Sequence, residues 1–167
     1  MSKPPRWKPN VTVAAVVERS GRFLLVEEQT REGLRLNNPA GHLDPQESLE
    51  EAVVREVLEE TTCRFTPQAL VGVYLSRFRR PLDGGTEDVT YLRFAFTGEI
   101  GEPDPALRLD EGIVRTLWMS PDELRASAPR HRSPLVLQCL EDHLAGRRFP
   151  LQLLNAHPSL YDPFIPG

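Results

Sequence analysis

Residues 41–63 read GHLDPQESLEEAVVREVLEETTC, and this stretch decides both the fold and the chemistry. Asp44-Pro45-Gln46-Glu47 has the grammar of a helix start, with an Asp N-cap, Pro at the first helical position and Glu at N3. The sequence therefore predicts a helix from about Pro45 to Thr61. At about 100° per residue, Leu49, Ala52, Val53 and Val57 form one apolar stripe facing a core. With Leu49 at zero, Glu56 falls at about −20° and Glu60 at about +20°. Both acids thus lie within the stripe, one turn apart, with Glu59 at its edge. Like charges at i,i+4 repel, and partial burial adds a desolvation cost. A hard cation removes both objections, because Mg²⁺ prefers carboxylate oxygens and keeps its other positions for water and phosphate. Glu47, Glu50 and Glu51 lie off the stripe and read as a solvated face. Arg55 reaches Glu51 and Glu59 at i−4 and i+4, either as a surface ion-pair ladder or as a guanidinium orienting a catalytic carboxylate. Gly41 lets a backbone carbonyl approach a cation. His42 reads as a structural hydrogen-bonder rather than a ligand.

Outward from this helix, residues 11–18 and 22–27 are β-rich runs separated by Ser20-Gly21, a hairpin signal. Residues 69–79 and 88–97 form a second pair joined by the turn-rich PLDGGTED, and Ile113 to Met119 gives a fifth strand. Ser120-Pro121-Asp122-Glu123 starts a short helix, and Ser133-Pro134 starts another whose apolar face ends at Gly146. From Phe149 to Gly167 the chain carries four prolines and no period, and reads as a coil, packed on the body or frayed. Strands mixed with three helices indicate an α/β sandwich.

The chain has 167 residues, 40% of them hydrophobic and 26% charged, which suits one globular domain with a real core. Its net charge of −4 lacks the basic footprint of a general nucleic-acid binder. The run Val11 to Val17 is too short for a membrane span, and MSKPPRWKPN is not followed by the apolar core of a signal peptide. Cys63 and Cys139 form no spaced framework, so a reducing cytoplasm is expected.

Gly41-x5-Glu47-x7-Arg55-Glu56-Val57-x-Glu59-Glu60-x-Thr62-Cys63 resembles the Nudix box, G-x5-E-x7-R-E-U-x-E-E-x-G-U with U a bulky aliphatic. Thr62 stands where that motif has glycine, at a helix end that needs positive φ, where a β-branched residue is disfavoured. Further segments are similar to the NudJ phosphatase subfamily: Lys8 to Ala14, Asn38 to Leu43, Leu92-Arg93-Phe94, Arg132 to Val136, and Gly146 to Leu151. The resemblance implies a single Nudix α/β/α sandwich with a mixed central sheet over residues 1–167, a core at about 8–152 and a proline-rich tail at 149–167. It implies Mg²⁺, or Mn²⁺, on Glu56, Glu59 and Glu60 with the Gly41 carbonyl assisting. It also implies hydrolysis of nucleoside tri- and diphosphates and of hydroxymethylpyrimidine pyrophosphate, with release of orthophosphate.

On this expectation the cation acidifies a bound water, and a carboxylate takes the water's proton. Glu59, Asp110 and Glu111 are all candidates for that base, with Arg55 as an orienting group. Arg77, Arg79 and Arg93 are candidates for the phosphate tail, Tyr74, Tyr91 and Phe94 for a base ring, and Arg132 for phosphate at a helix N-terminus. The expected partner is a small phosphorylated molecule, not nucleic acid or membrane, and the protein is expected to be a monomer or homodimer. Two other readings stand beside this one: an ADP-ribose or dinucleoside polyphosphate pyrophosphatase, and a non-catalytic nucleotide sensor. Intact metal carboxylates weigh against the sensor.

Overall fold

The computed structural model describes residues 6–163; the first five residues of the MSKPPRWKPN segment and the last four of the tail lie outside them. In chain order the elements are β1 (Asn10–Ala15), β2 (Glu18–Arg19), β3 (Arg22–Thr30), β4 (Gly33–Asn37), β5 (Ala40–His42), α1 (Leu49–Thr61), β6 (Cys63–Leu82), β7 (Gly85–Pro103), β8 (Ile113–Met119), α2 (Pro121–Ala126) and α3 (Leu135–Leu144). One four-stranded sheet has the order β5-β1-β7-β6 and is mixed, since β1 runs parallel to β7 and antiparallel to β5. The second is antiparallel, with β2 and β4 on one edge of β3 and β8 on the other.

Period-2 alternation splits the core across the two faces of this layer. Val13, Ala15, Val17, Leu24, Phe65, Leu70 and Phe96 pack against Ala52, Val53 and Val57 of α1. On the other side Val16, Phe23, Leu25, Leu36, Tyr74 and Ala95 pack against Leu124 of α2 and Val136, Cys139 and Leu140 of α3. The result is the expected α/β/α sandwich.

Several boundaries differ from the expected ones. The helix begins at Leu49, not Pro45, because Ser48 provides a complete capping box with Glu51. The upstream Asp44-Pro45-Gln46-Glu47 imitates that box: the Asp44 N–H donates to Glu47 Oε1 at 2.7 Å, but Gln46 has φ +66° and the segment is a turn. The hairpin β6–β7 is far longer than residues 69–79 and 88–97, and its turn is only Asp83-Gly84, with Gly84 at φ +90°. β4 and β5 were not among the expected strands: β5 is only three residues long, and the Leu34-Arg35-Leu36-Asn37 alternation of β4 is too short to stand out. The tail is packed: Phe149 bridges to Leu70, Leu151 and Leu154 cover the α1-side core, and the Tyr161 hydroxyl donates to Glu51.

Candidate active site

α1 presents its acids at the edge of the first sheet. Glu60 is 8% exposed and accepts a 2.9 Å hydrogen bond from the Ala40 N–H of edge strand β5. Burial pushes its carboxyl up to about 8; the Ala40 N–H opposes this, and the nearby Glu56, Glu28 and Asp110 carboxylates add to it. Glu56 is also raised, first by burial, against the pull of Arg55. Gly41 leaves space for this carboxylate. A Cβ at Gly41 would lie 2.0 Å from the Glu56 carboxyl carbon, so any larger residue would displace the acid.

Arg55 is the hub of the site. It donates to Glu47 at 2.7 and 3.0 Å, to Glu56 at 2.7 Å, to Glu59 at 3.2 Å and to the His42 carbonyl at 2.9 Å. Helical spacing alone pairs it with Glu51 and Glu59. Glu51 instead accepts from the Ser48 N–H and the Tyr161 hydroxyl. Glu47, expected on a solvated face, is largely buried against the guanidinium, which holds its carboxyl below the usual range. The turn at Gln46 swings Glu47 out of the expected helical register and makes this contact possible.

Among the described residues no three acid, His or Cys side chains converge into a ready-made metal cage. Glu56 and Glu59 are both drawn onto Arg55 instead. The donor set nonetheless fits a hard cation: oxygen ligands only, with Glu60 buried and Glu56 half-buried, both carboxyls raised by burial in a way that a positive charge would reverse.

The other anticipated residues divide by strand parity. Asp110 and Glu111 are exposed, but the Asp110 N–H donates to the Glu59 carbonyl at 2.9 Å, and its carboxylate acts on Glu60. Tyr91 and Arg93 share the face of β7 that looks toward α3 with their cross-strand partners Ser76 and Tyr74, and the Tyr74 hydroxyl donates to Asp142 of α3. Tyr91 stacks on Phe78 with centroids 5.4 Å apart and has His42 tilted against it at 5.9 Å, so its ring already has two aromatic neighbours. Arg77 points from the opposite face, where it pairs with Asp88 at 2.8 Å beside Trp7 and Thr90. The structure does not bring Arg77 to the α1 carboxylates. Phe94 also turns to the α1 side, Arg79 pairs with Asp88 at 3.5 Å, and Arg132 lies 3.5 Å from Glu28. Glu28 was missed. The adjacent acids Glu27-Glu28 on a buried strand were the available signal, since alternation must turn one of them inward on each face.

The NUDIX domain model matches residues 7–139. The chain belongs to the Nudix family. Phosphatase NudJ of Escherichia coli K12 is 36% identical over 149 residues, covering 89% of this chain and 92% of that protein. A NUDIX hydrolase structure from Nitrosomonas europaea superposes with a TM-score of 0.81 at 50% identity, covering 90% of this chain and 98% of that one. The solution structure of the E. coli ORF135 protein, at 24% identity and a TM-score of 0.61, shares the fold over 84% of this chain and 91% of its own. This Nudix protein is a hydrolase, and its α1 segment is the Nudix box. Thr62, in place of the motif's glycine, adopts the left-handed conformation that glycine would supply, with φ 60° and ψ 10°. Among the described residues no helix is long and apolar enough to cross a membrane.

Proposed function

We propose that this Nudix hydrolase acts on nucleoside tri- and diphosphates and on hydroxymethylpyrimidine pyrophosphate, releasing orthophosphate with Mg²⁺ or Mn²⁺ held by Glu56, Glu59 and Glu60 and the Gly41 carbonyl. The observation that carries this reading is the placement of half-buried Glu56 and buried Glu60 one turn apart on α1, beside Gly41, with burial raising both carboxyls until a positive charge offsets it. A divalent cation held by these residues would neutralise phosphate oxygens and acidify the attacking water. The protein's own part is positional. Arg55, anchored on Glu47 and the His42 carbonyl, fixes the rotamers of Glu56 and Glu59. Glu59, the most exposed of the three α1 acids, is the candidate to receive the water's proton, with Asp110 beside Glu60 as the alternative and Glu111 further out. Identity with Phosphatase NudJ over most of both chains supports orthophosphate release over internal cleavage. The two free, buried cysteines agree with a cytoplasmic setting.

A product assay tests this reading: the protein with Mg²⁺ and a panel of nucleoside di- and triphosphates, the pyrimidine pyrophosphate and ADP-ribose, resolved by ion-exchange chromatography. Orthophosphate from several nucleotides supports it. AMP and ribose phosphate from ADP-ribose alone would replace it with a pyrophosphatase.

A further inference from the structure

Glu27 shows how this fold holds a buried charge in place. Glu27, 2% exposed, accepts from Arg115 at 2.7 Å and also from Arg130. Arg93 departs from that pattern. It is 8% exposed, yet its Nε and Nη1 have no hydrogen-bond partner. A buried guanidinium left in this state is costly, and native folds keep such groups where a ligand completes them.

Its neighbours show what it is aimed at. The register aligns His42, Thr12, Arg93 and Tyr74 in one row across β5, β1, β7 and β6, with their side chains on one face of the sheet. Thr12, immediately beside Arg93, is 5% exposed, and its hydroxyl Oγ1 is likewise unpartnered. The Cys139 thiol of α3 lies against the Arg93 guanidinium, and the carboxylates of Glu28 and Glu60 act on it from further off, while Nε and Nη1 stay without a hydrogen-bond acceptor. The row therefore stands within electrostatic reach of the acidic end of α1 and offers N–H and O–H donors that no described residue accepts.

We propose that Arg93 and Thr12 form a second pole of the active-site cleft, binding a phosphate oxygen of the substrate that the α1 carboxylates and their cation do not hold. This rests on the hydrolase reading and deepens it. A phosphate monoester engages one pole only, whereas a pyrophosphate chain engages both, so the pair selects substrates with two or more linked phosphates. Arginine suits the task because it stays charged when buried and presents several donors in a fixed plane.

The test compares Arg93→Met, Arg93→Lys and Thr12→Val with the parent protein in Mg²⁺. Thermal melting reports the fold, calorimetry measures inorganic pyrophosphate binding, and steady-state kinetics use di- and triphosphates of four different bases. For Arg93→Met, pyrophosphate affinity is expected to fall and KM to rise, each by roughly 10- to 100-fold and equally for every base. The melting temperature should hold or rise, because an unpaired buried charge has gone. Thr12→Val should show a smaller loss of the same kind, and Arg93→Lys a partial recovery. A base-dependent rise in KM would overturn the proposal, because Arg93 would then read the heterocycle. Unchanged pyrophosphate affinity and KM would overturn it as well, whether or not the fold loosens. If the parent hydrolyses nothing on the panel, the hydrolase reading fails by itself, and pyrophosphate calorimetry still decides the fate of the second pole.

Discussion

Glu60→Gln is expected to stabilise the metal-free protein, by an amount that depends on pH in a calculable way. The Glu60 carboxyl is pushed from 4.5 up to about 8 by burial. Below pH 4.5 both folded and unfolded chains carry the proton and the residue costs nothing. Between 4.5 and 8 the unfolded chain releases the proton while the folded one retains it, so stability is lost as pH rises through that window, levelling off above the folded value. At 1.36 kcal/mol per unit the total loss is about 4–5 kcal/mol, and about 3 kcal/mol of it is present at pH 7. Gln has nearly the same shape and can still accept the Ala40 N–H bond through Oε1, but it does not ionise. Urea denaturation of both proteins in EDTA, from pH 4.5 to 8.5, isolates the term as a difference. The variant should match the parent at the acid end and exceed it progressively toward pH 8. Saturating Mg²⁺ should close the gap by stabilising the ionised parent. A difference that stays flat with pH, or runs the other way, would refute the assignment of Glu60 as a buried, charge-starved acid.

Three further outcomes follow from the site geometry. Gly41→Ala places a methyl 2.0 Å from the Glu56 carboxyl carbon, so turnover should fall about 100-fold with the circular dichroism spectrum unchanged. Arg55→Lys keeps the charge but loses the fork that spans Glu47, Glu56 and Glu59; calorimetric Mn²⁺ affinity or turnover should drop roughly 10- to 100-fold. Thr62→Gly relieves about 1–2 kcal/mol of left-handed strain against about 1 kcal/mol of lost burial and added chain freedom, so the melting temperature should hold or rise by up to about 4 °C, and a clear fall would contradict the strain.

The chemistry of α1 was readable because a helix fixes side-chain direction to within a few degrees per residue. Two acids in an apolar stripe are then conspicuous, and both proved buried or nearly so. The strain at Thr62 was readable for the same reason, since a helix end imposes a left-handed turn whatever residue occupies it. The start of that helix was not. Asp44 to Glu47 and Ser48 to Glu51 both satisfy the capping pattern, and only the positive φ at Gln46 chooses between them. Glu47 was misplaced as a consequence, and with it the anchor of Arg55. The long hairpin was underestimated because exposed strand ends such as Arg77 to Arg80 lack the apolar alternation that marks a half-buried strand. Arg93 and Arg77 look equivalent in sequence. Strand parity and register, which no local pattern supplies, put one in the core and the other on the far face.

Turnover of a nucleoside triphosphate in Mg²⁺ by the parent, Glu59→Gln and Glu60→Gln proteins tests the central claim most directly. Orders-of-magnitude loss in both variants, with the fold intact by circular dichroism, is the expected result. Near-parental turnover in both would contradict the claim that the acidic end of α1 is where the phosphate bond breaks.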